Sequence, residues 1–424
     1  MSDLTKMYRS MQEDPFPEKL HVNLGNQELI FKKRTWLIQG EEKGLRYGEN
    51  PDQPAALYEP VQGGLELGGV PFRSGGLDLV SSLTVEHMLQ SGKHPGKINL
   101  TDVDNGLNIL QYLSRKPAAV ILKHNNPCGA AWSDEGLQSA LRKAYFCDRI
   151  AAFGGAVVCN APVDKSSAEF ISNAYFEVVA APEFEPASLD LLKQRKNLRI
   201  LKIPGLSQLE KELKRPFLDI KSLVDGGLIV QFSFRNSVLS EEDLIPATAE
   251  SDTLTVTARK PDKREAEDLI FAWAVEAGVT SNSVLFAKDG ATVAIGTGEQ
   301  DRVGCVDLTI HKAYTKYADA LAYQRCGLSL YELRGKARSE SESEQILEEI
   351  QNQTRDDKAG LPGSVLVSDG FFPFRDGVDL AAEHGVTAIA QPGGSLNDAE
   401  VIQAVNEADP QIAMVFTAQR AFKH

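Results

Sequence analysis

Ala118-Ala119-Val120-Ile121-Leu122-Lys123-His124-Asn125-Asn126-Pro127-Cys128-Gly129 is the stretch on which the reading of the fold turns. Its first five residues are apolar, continuous and rich in branched side chains, which predicts a fully buried β-strand. A lysine and a histidine then stand side by side where that strand ends. Open α/β sheets build their sites at the carboxyl ends of strands, so the pair is well placed for chemistry. Histidine titrates near neutral pH and moves protons, while lysine stabilises developing negative charge or donates a proton. Two readings stand at this point: a reactive pair, or a strand ending in two solvated polar residues. Pro127-Cys128-Gly129 is expected to be a shaping turn.

Outward from this strand, apolar runs alternate with helical patterns. A helix near Gly136–Tyr145 precedes the strand Ala156–Cys159, and a helix near Ser166–Tyr175 precedes the strands Val178–Ala181 and Leu198–Ile203. Such alternation predicts an α/β fold with a mostly parallel sheet and helices on its faces. The last sixty or so residues repeat the pattern: strands at Val365–Val367, Val386–Ala390 and Ala413–Thr417, helices at Val378–Glu383 and Asp398–Ala408. Asn397 is the expected N-cap of the second helix, with Glu400 completing a capping box. A helix near Lys263–Ala277 leads to a hairpin around Asp289-Gly290. The segment 339–358 reads as a solvated amphipathic helix and a loop. The expected organisation is a peripheral arm (1–40), a first α/β subdomain (41–205), a mixed connecting segment (206–262) and a second α/β subdomain (263–424).

The 424 residues carry 59 acidic and 45 basic side chains, a net charge of −14 that disfavours non-specific binding to nucleic acid or anionic membrane. Five cysteines, an odd number without a C-x-x-C pair, argue against a disulfide framework and for a reducing cytoplasm. The N-terminus lacks the apolar core of a signal peptide, and no run of apolar residues is long enough to span a membrane. No histidine begins an H-x-E, so the zinc deaminase signature is missing and no catalytic metal is expected. Phosphate-binding P-loops and nucleophile elbows are absent as well.

Four further clusters carry possible chemistry. Arg46 and Tyr47 in Leu45–Gln53 suit a phosphate, or make a surface turn. Ala151-Ala152-Phe153-Gly154-Gly155 allows close approach of backbone to a ligand, or is a tight helix-to-strand turn. In Thr280-Ser281-Asn282-Ser283, near Gly296–Arg302, the Asn282 amide can orient an amide or amine. Ser368–Asp376 places Phe371, Phe372 and Phe374 in a loop, which asks for a core or a flat aromatic ligand, with Asp376 able to pair with a heterocycle nitrogen. At the C-terminus, Arg420, Phe422 and His424 share a face if the closing strand stays extended.

In order along the chain, RYGENPDQ (46–53), KHNNPCG (123–129), AAFGG (151–155), GGLIVQ (226–231), TSNSV (280–284), GTGEQDR (296–302), SDGFFPFRDGVD (368–379), QPGGS (391–395) and the R-x-F-x-H ending resemble the AICAR formyltransferase family. That family is usually the C-terminal part of a bifunctional protein with IMP cyclohydrolase. The resemblance runs from about Leu45 to His424, and a stand-alone transformylase without cyclohydrolase activity is expected, with a separate protein closing the ring. Asp52 stands where the family commonly has histidine, Phe72–Gly76 replaces a Ser-Tyr-Asn-Asn, and no folate contact transfers to 339–358.

The resemblance implies two zinc-free subdomains similar to cytidine deaminase, in a cytoplasmic homodimer whose chains jointly build each site. It implies formyl transfer from 10-formyltetrahydrofolate, as co-substrate, to the 5-amino group of AICAR in purine (IMP) biosynthesis. His124 would be the base, Lys123 the oxyanion stabiliser, and Asn282 the residue orienting the amine. Arg46, Tyr47, Glu177, Lys196, Arg302, Arg420, Phe422 and His424 would face AICAR. Phe153, Gly154, Phe371, Pro373 and Asp376 would face the folate. The other reading is a non-catalytic AICAR-binding assembly subunit of the same pathway.

Overall fold

The computed structural model describes residues 14–38, 40–92, 94–250 and 254–424. The fold is mixed α/β, and the chain forms two compact units. One unit comprises the described residues through Ser114 together with Gly154–Arg235, the other Arg115–Phe153 with Asn236–His424. This division is discontinuous, unlike the linear boundaries expected from the sequence. Its cause is the strand pair that holds the opening motif, which belongs with the later residues.

In the second unit, Ala118–Lys123 is a strand with every residue from Ala118 to Leu122 fully buried. It does not enter a parallel crossover. It turns back on itself, pairing antiparallel with Asn126–Trp132. The turn is His124-Asn125, with φ of 55° and 61°, between the paired Lys123 and Asn126. Two consecutive positive φ values are the type I′ geometry that matches the twist of a tight hairpin. Pro127-Cys128-Gly129 is therefore a strand with a register shift, and the expected shaping turn lies three residues earlier. The same I′ device closes the expected hairpin of Val284–Lys288 and Ala291–Gly296, at Asp289 (52°) and Gly290 (69°).

The two hairpins interlock. Trp132 N donates to Gly290 O at 2.9 Å, and Ala130 N to Thr292 Oγ1 at 3.0 Å. From there the sheet continues through Val365–Ser368, Ala388–Gln391 and Ala413–Phe416 to Ile245–Pro246 at its edge. Only the three strands from Val365 to Phe416 run parallel, so the mostly parallel expectation holds for that part and fails for the hairpins. Helices Leu137–Cys147, Lys263–Glu276, Arg302–Cys326, Asp376–Glu383 and Asp398–Glu407 flank this unit's strands. Gly129 has no space for a side chain: a Cβ there would sit 2.0 Å from Ala144 O on the first of these helices.

Two local expectations are corrected here. Asn397 precedes the helix Asp398–Glu407 but makes no side-chain cap, because its amide donates to Pro373 O at 2.7 Å instead. The closing strand ends at Phe416 and the chain then bends at Ala418, φ 51°, so the tail is not an extended strand.

The first unit holds the parallel strands Ala156–Cys159, Val178–Ala181 and Arg199–Lys202, with Met88–Gln90 added antiparallel. The expected peripheral arm is a sheet instead: Lys19–Leu24 and Gln27–Arg34 pair with each other and with Leu57–Gln62. The alternating pattern of this hairpin buries Leu29 against Leu65 and Phe72, which a free arm could not do. Residues 1–13 of the expected arm lie outside the described residues. Leu218–Ser222 and Leu228–Phe232 form a two-stranded hairpin within the expected connecting segment. Among the described residues no helix is long and apolar enough to cross a membrane.

Candidate active site

The I′ turn sets the geometry of the opening motif. It exposes His124 at the tip and leaves Lys123 half-buried, with Nζ donating to Phe153 O at 2.8 Å. An ammonium has three donors, so this bond fixes the lysine and leaves two for a ligand. Asn126 Oδ1 accepts from Thr280 N at 2.9 Å and from Thr297 Oγ1 at 3.2 Å. Lys423 Nζ donates to Asn125 O and to Gly278 O, both at 3.0 Å, and Ser281 N donates to Lys423 O at 2.9 Å. The hairpin turn, the 278–282 segment and the C-terminal tail are thus one hydrogen-bonded cluster.

Neither Asn126 nor Lys423 was singled out by the sequence. The strand-pleat argument picked Arg420, Phe422 and His424 and so set Lys423 on the opposite face. In the bent tail those three still gather: Arg420 Cζ lies 5.5 Å from the Phe422 ring centroid, and the Phe422 and His424 rings are 6.1 Å apart. Stacking groups them where pleating does not.

Asn282 follows a cis Ser281–Asn282 peptide, and its Oδ1 accepts from Arg302 Nη2 at 3.2 Å. Arg302 also donates through Nη1 to Ser283 O (2.9 Å) and to Asp369 (2.6 Å), and is nearly buried. A guanidinium is a donor only, so it fixes which end of the Asn282 amide faces it and leaves Nδ2 turned away. Gly370 permits this packing, since a Cβ there would meet Arg302 Nη2 at 2.5 Å and the Phe422 ring at 2.8 Å.

Beneath this cluster Glu276 is wholly buried, with Ser283 Oγ donating to it at 2.7 Å. Burial, and then the charge of Asp369, push its carboxyl well above the usual value of 4.5. Between 4.5 and that raised value the folded protein holds a proton the unfolded chain has lost, so stability falls as pH rises. Glu276→Gln removes this dependence. Its stability relative to the parent should rise by about 1.4 kcal/mol per pH unit across that window. Denaturant unfolding at a series of pH values reads this, and a pH-independent difference would contradict it.

The phenylalanine loop divides its labour. Phe372 is fully buried in the core, whereas Phe374 is 58% exposed and Phe371 is half-buried. The plug reading is right for the first, and an open aromatic face remains with the others. Pro373 is held through its carbonyl by Asn397, and Asp376 starts its helix exposed, accepting Gly377 N at 2.7 Å. Phe153, whose carbonyl holds Lys123, presents its ring to solvent, 62% exposed. Cys128 is a neutral thiol, its pKa pushed up to about 12 by burial. No group of three or more His, Cys, Asp or Glu is placed to hold a metal among the described residues.

In the other unit, Arg46 stacks on its neighbour, with Cζ 4.5 Å from the Tyr47 ring centroid and Nη2 donating to the hydroxyl at 2.8 Å. Glu177 joins them through Arg199, which the sequence reading passed over. Arg199 is 1% exposed and donates through Nη1 to both the carbonyl and the carboxylate of Glu177 at 3.3 Å. Burial pulls its pKa down to about 10, against the upward pull of Glu177, and Arg46 adds to the lowering. Asn99 Nδ2 reaches the same carboxylate at 3.4 Å. An arginine in the middle of the apolar run Leu198–Ile203 was the available signal, since such a residue is rarely buried unpaired. Gly154, φ 76°, donates to Tyr175 O at 2.8 Å. Lys196 lies outside the arginine cluster: it is exposed and lines a cavity of about 200 Å³ with Tyr175, Phe176 and Leu198.

A family model described as AICARFT/IMPCHase bienzyme matches residues 7–312. Similar proteins include the bifunctional purine biosynthesis protein PurH of Magnetococcus marinus, 36% identical over 391 residues, 92% of this chain and 61% of that protein. PurH of Caldicellulosiruptor bescii is 35% identical over 380 residues, covering 90% of this chain and 59% of that protein. PurH of Persephonella marina is 37% identical over 381 residues, again 90% and 59%. The chain thus spans between 59% and 61% of the length of these relatives. With one family model matching most of its length, the chain belongs to the AICARFT/IMPCHase bienzyme family.

Proposed function

We propose that this chain transfers a formyl group from 10-formyltetrahydrofolate to the 5-amino group of AICAR, in purine biosynthesis. One observation carries the reading: the turn bearing Lys123 and His124 is hydrogen-bonded to the segment bearing Asn282 and to the tail bearing Phe422 and His424. Three kinds of group that amine acylation needs are therefore on one connected framework.

The AICAR amine is conjugated with an electron-withdrawing carboxamide and is a poor nucleophile. As its nitrogen bonds to the formyl carbon, a base must take its proton, and the exposed imidazole of His124 is suited to this. The formyl oxygen becomes an oxyanion, to which the two free donors of Lys123 can turn. The bond from the formyl carbon to the folate N10 then breaks, and N10 leaves as the amine of tetrahydrofolate, taking up a proton. Asn282, fixed by Arg302, orients the reactants. The exposed rings of Phe153 and Phe374 and the half-buried Phe371 offer flat apolar surface of the kind a pterin or benzoyl ring covers. Arg46 and Tyr47, backed by Arg199, provide donors for a phosphate.

Tetrahydrofolate production by the purified chain tests this. Saturable turnover that requires both AICAR and 10-formyltetrahydrofolate is expected. AICAR binding without turnover would overturn it and favour a nucleotide-binding assembly role.

A further inference from the structure

Asp369 makes contacts that no part of the proposed chemistry uses. It is fully buried, directly after the strand Val365–Ser368, and its two carboxylate oxygens face different elements. Oδ1 accepts from Arg302 Nη1 at 2.6 Å. Oδ2 accepts from Ser281 Oγ and from Ser283 N, the latter at 3.1 Å. These two residues flank Asn282 on either side. The backbone of Asp369 adds a third connection, its carbonyl accepting from Ala421 N at 3.0 Å. Ala421 is itself flanked by Arg420 and Phe422, and it is buried. One residue thus joins the Asn282 segment, the guanidinium that fixes the Asn282 amide, and the tail.

The arrangement is costly to hold. An ion pair taken out of water loses hydration that its Coulomb attraction only partly returns, so it is weak evidence of a gain in stability. A buried carboxylate with every oxygen committed is instead suited to fixing geometry, because each of its bonds breaks if a partner shifts. Glu276 lies close enough to feel the Asp369 charge, and Ser283 bonds to both acids. Bonds on both sides of Asn282 leave its side chain a single direction.

We infer that Asp369 is a positioning residue of the candidate active site, acting on the reaction through Asn282 and Arg302 and not by touching substrate. The inference rests on the formyl-transfer reading. Misplacing a reacting group by about 1 Å can cost on the order of a hundredfold in rate, which sets the expected size of the effect.

The test uses the full chain and three variants: Asp369→Asn, Asn282→Ala and the two combined. Asp369→Asn keeps the shape and one acceptor but loses the charge facing Arg302. It should lower kcat by about a hundredfold, with a much smaller change in KM for 10-formyltetrahydrofolate. In the Asn282→Ala background the same change should cost less than about threefold, because residues acting through one another are not additive. A merely structural role would cost as much in both backgrounds. If Asp369→Asn does not fold, Ser281→Ala takes its place, with a loss in kcat that likewise vanishes without Asn282. Hydrogen exchange supplies a readout free of turnover: amides of 280–284 and 418–424 should exchange faster in Asp369→Asn. Active wild type with kcat in Asp369→Asn unchanged within about twofold, or with an undiminished loss in the Asn282→Ala background, overturns the inference and leaves formyl transfer standing. Inactive wild type overturns formyl transfer, and unchanged exchange then overturns the clamp as well.

Discussion

Replacing Lys123 by alanine and His124 by asparagine together should reduce formyl transfer by about 10⁴-fold, while the melting temperature stays within a few degrees of the parent. A positioned general base is worth about 10²–10⁴-fold, and a donor to a developing oxyanion about 10²–10³-fold. The two act in one step, so the double loss should fall well short of their product. Asparagine is the better replacement at His124 because the turn holds that residue at φ 55°, a conformation asparagine tolerates and alanine resists. The Lys123 ammonium contributes one bond to the Phe153 carbonyl, and its loss from a half-buried site is small for the fold. Steady-state rates with each single variant and the pair read the effect. A double variant within about tenfold of the parent would remove both residues from the chemistry.

Gly129→Ala should destabilise the protein by about 3 kcal/mol or more. The added methyl would lie 2.0 Å from the carbonyl oxygen of Ala144 and 2.9 Å from Cβ of Cys147. Both belong to the helix Leu137–Cys147, packed on the strand Asn126–Trp132. A helix carbonyl cannot swing aside like a flexible side chain, so the whole helix must lift from a core whose members are fully buried. Gly335→Ala supplies the opposite sign. It sits in the helix Leu330–Lys336 with nothing within 4 Å of the new methyl, and should stabilise by about 1 kcal/mol. Denaturant midpoints compare the two directly. Equal midpoints for Gly129→Ala and the parent would mean that the helix sits further from the strand than described.

Much of this architecture was legible because it rests on local pattern. The continuous apolar run Ala118–Leu122 and the Asp289-Gly290 hairpin announce themselves through burial and turn chemistry alone. The direction of a buried strand does not, since a run apolar on both faces fits parallel and antiparallel neighbours equally. His124-Asn125 could have signalled the I′ turn through its asparagine, but Pro127 and Gly129 are louder turn formers and drew the reading to themselves. The helix Arg302–Cys326 escaped notice because charged and tyrosine residues interrupt its apolar stripe, although Asp301 caps its start and Gly327, φ 70°, its end.

In the candidate site, the residues with conspicuous chemistry were found and those that hold them were not. Asn126, Arg199, Asp369 and Lys423 act through partners distant in sequence, such as Asn126 with Thr280 and Lys423 with Asn125. Nothing in a local window marks such a residue, except a charge within an apolar run, as at Arg199 in its strand. Lys196 shows the converse: a basic residue of suitable type that the structure leaves exposed and apart from the Arg46 cluster.

The most direct measurement follows the formyl carbon itself. The purified chain is incubated with AICAR and 10-formyltetrahydrofolate carrying an isotopic label in the formyl group, and the nucleotide product is examined by mass spectrometry. Label in the formylated nucleotide, appearing in step with tetrahydrofolate and lost in the Lys123→Ala/His124→Asn variant, is the predicted result. Unlabelled nucleotide after prolonged incubation with folded protein would contradict formyl transfer by this chain.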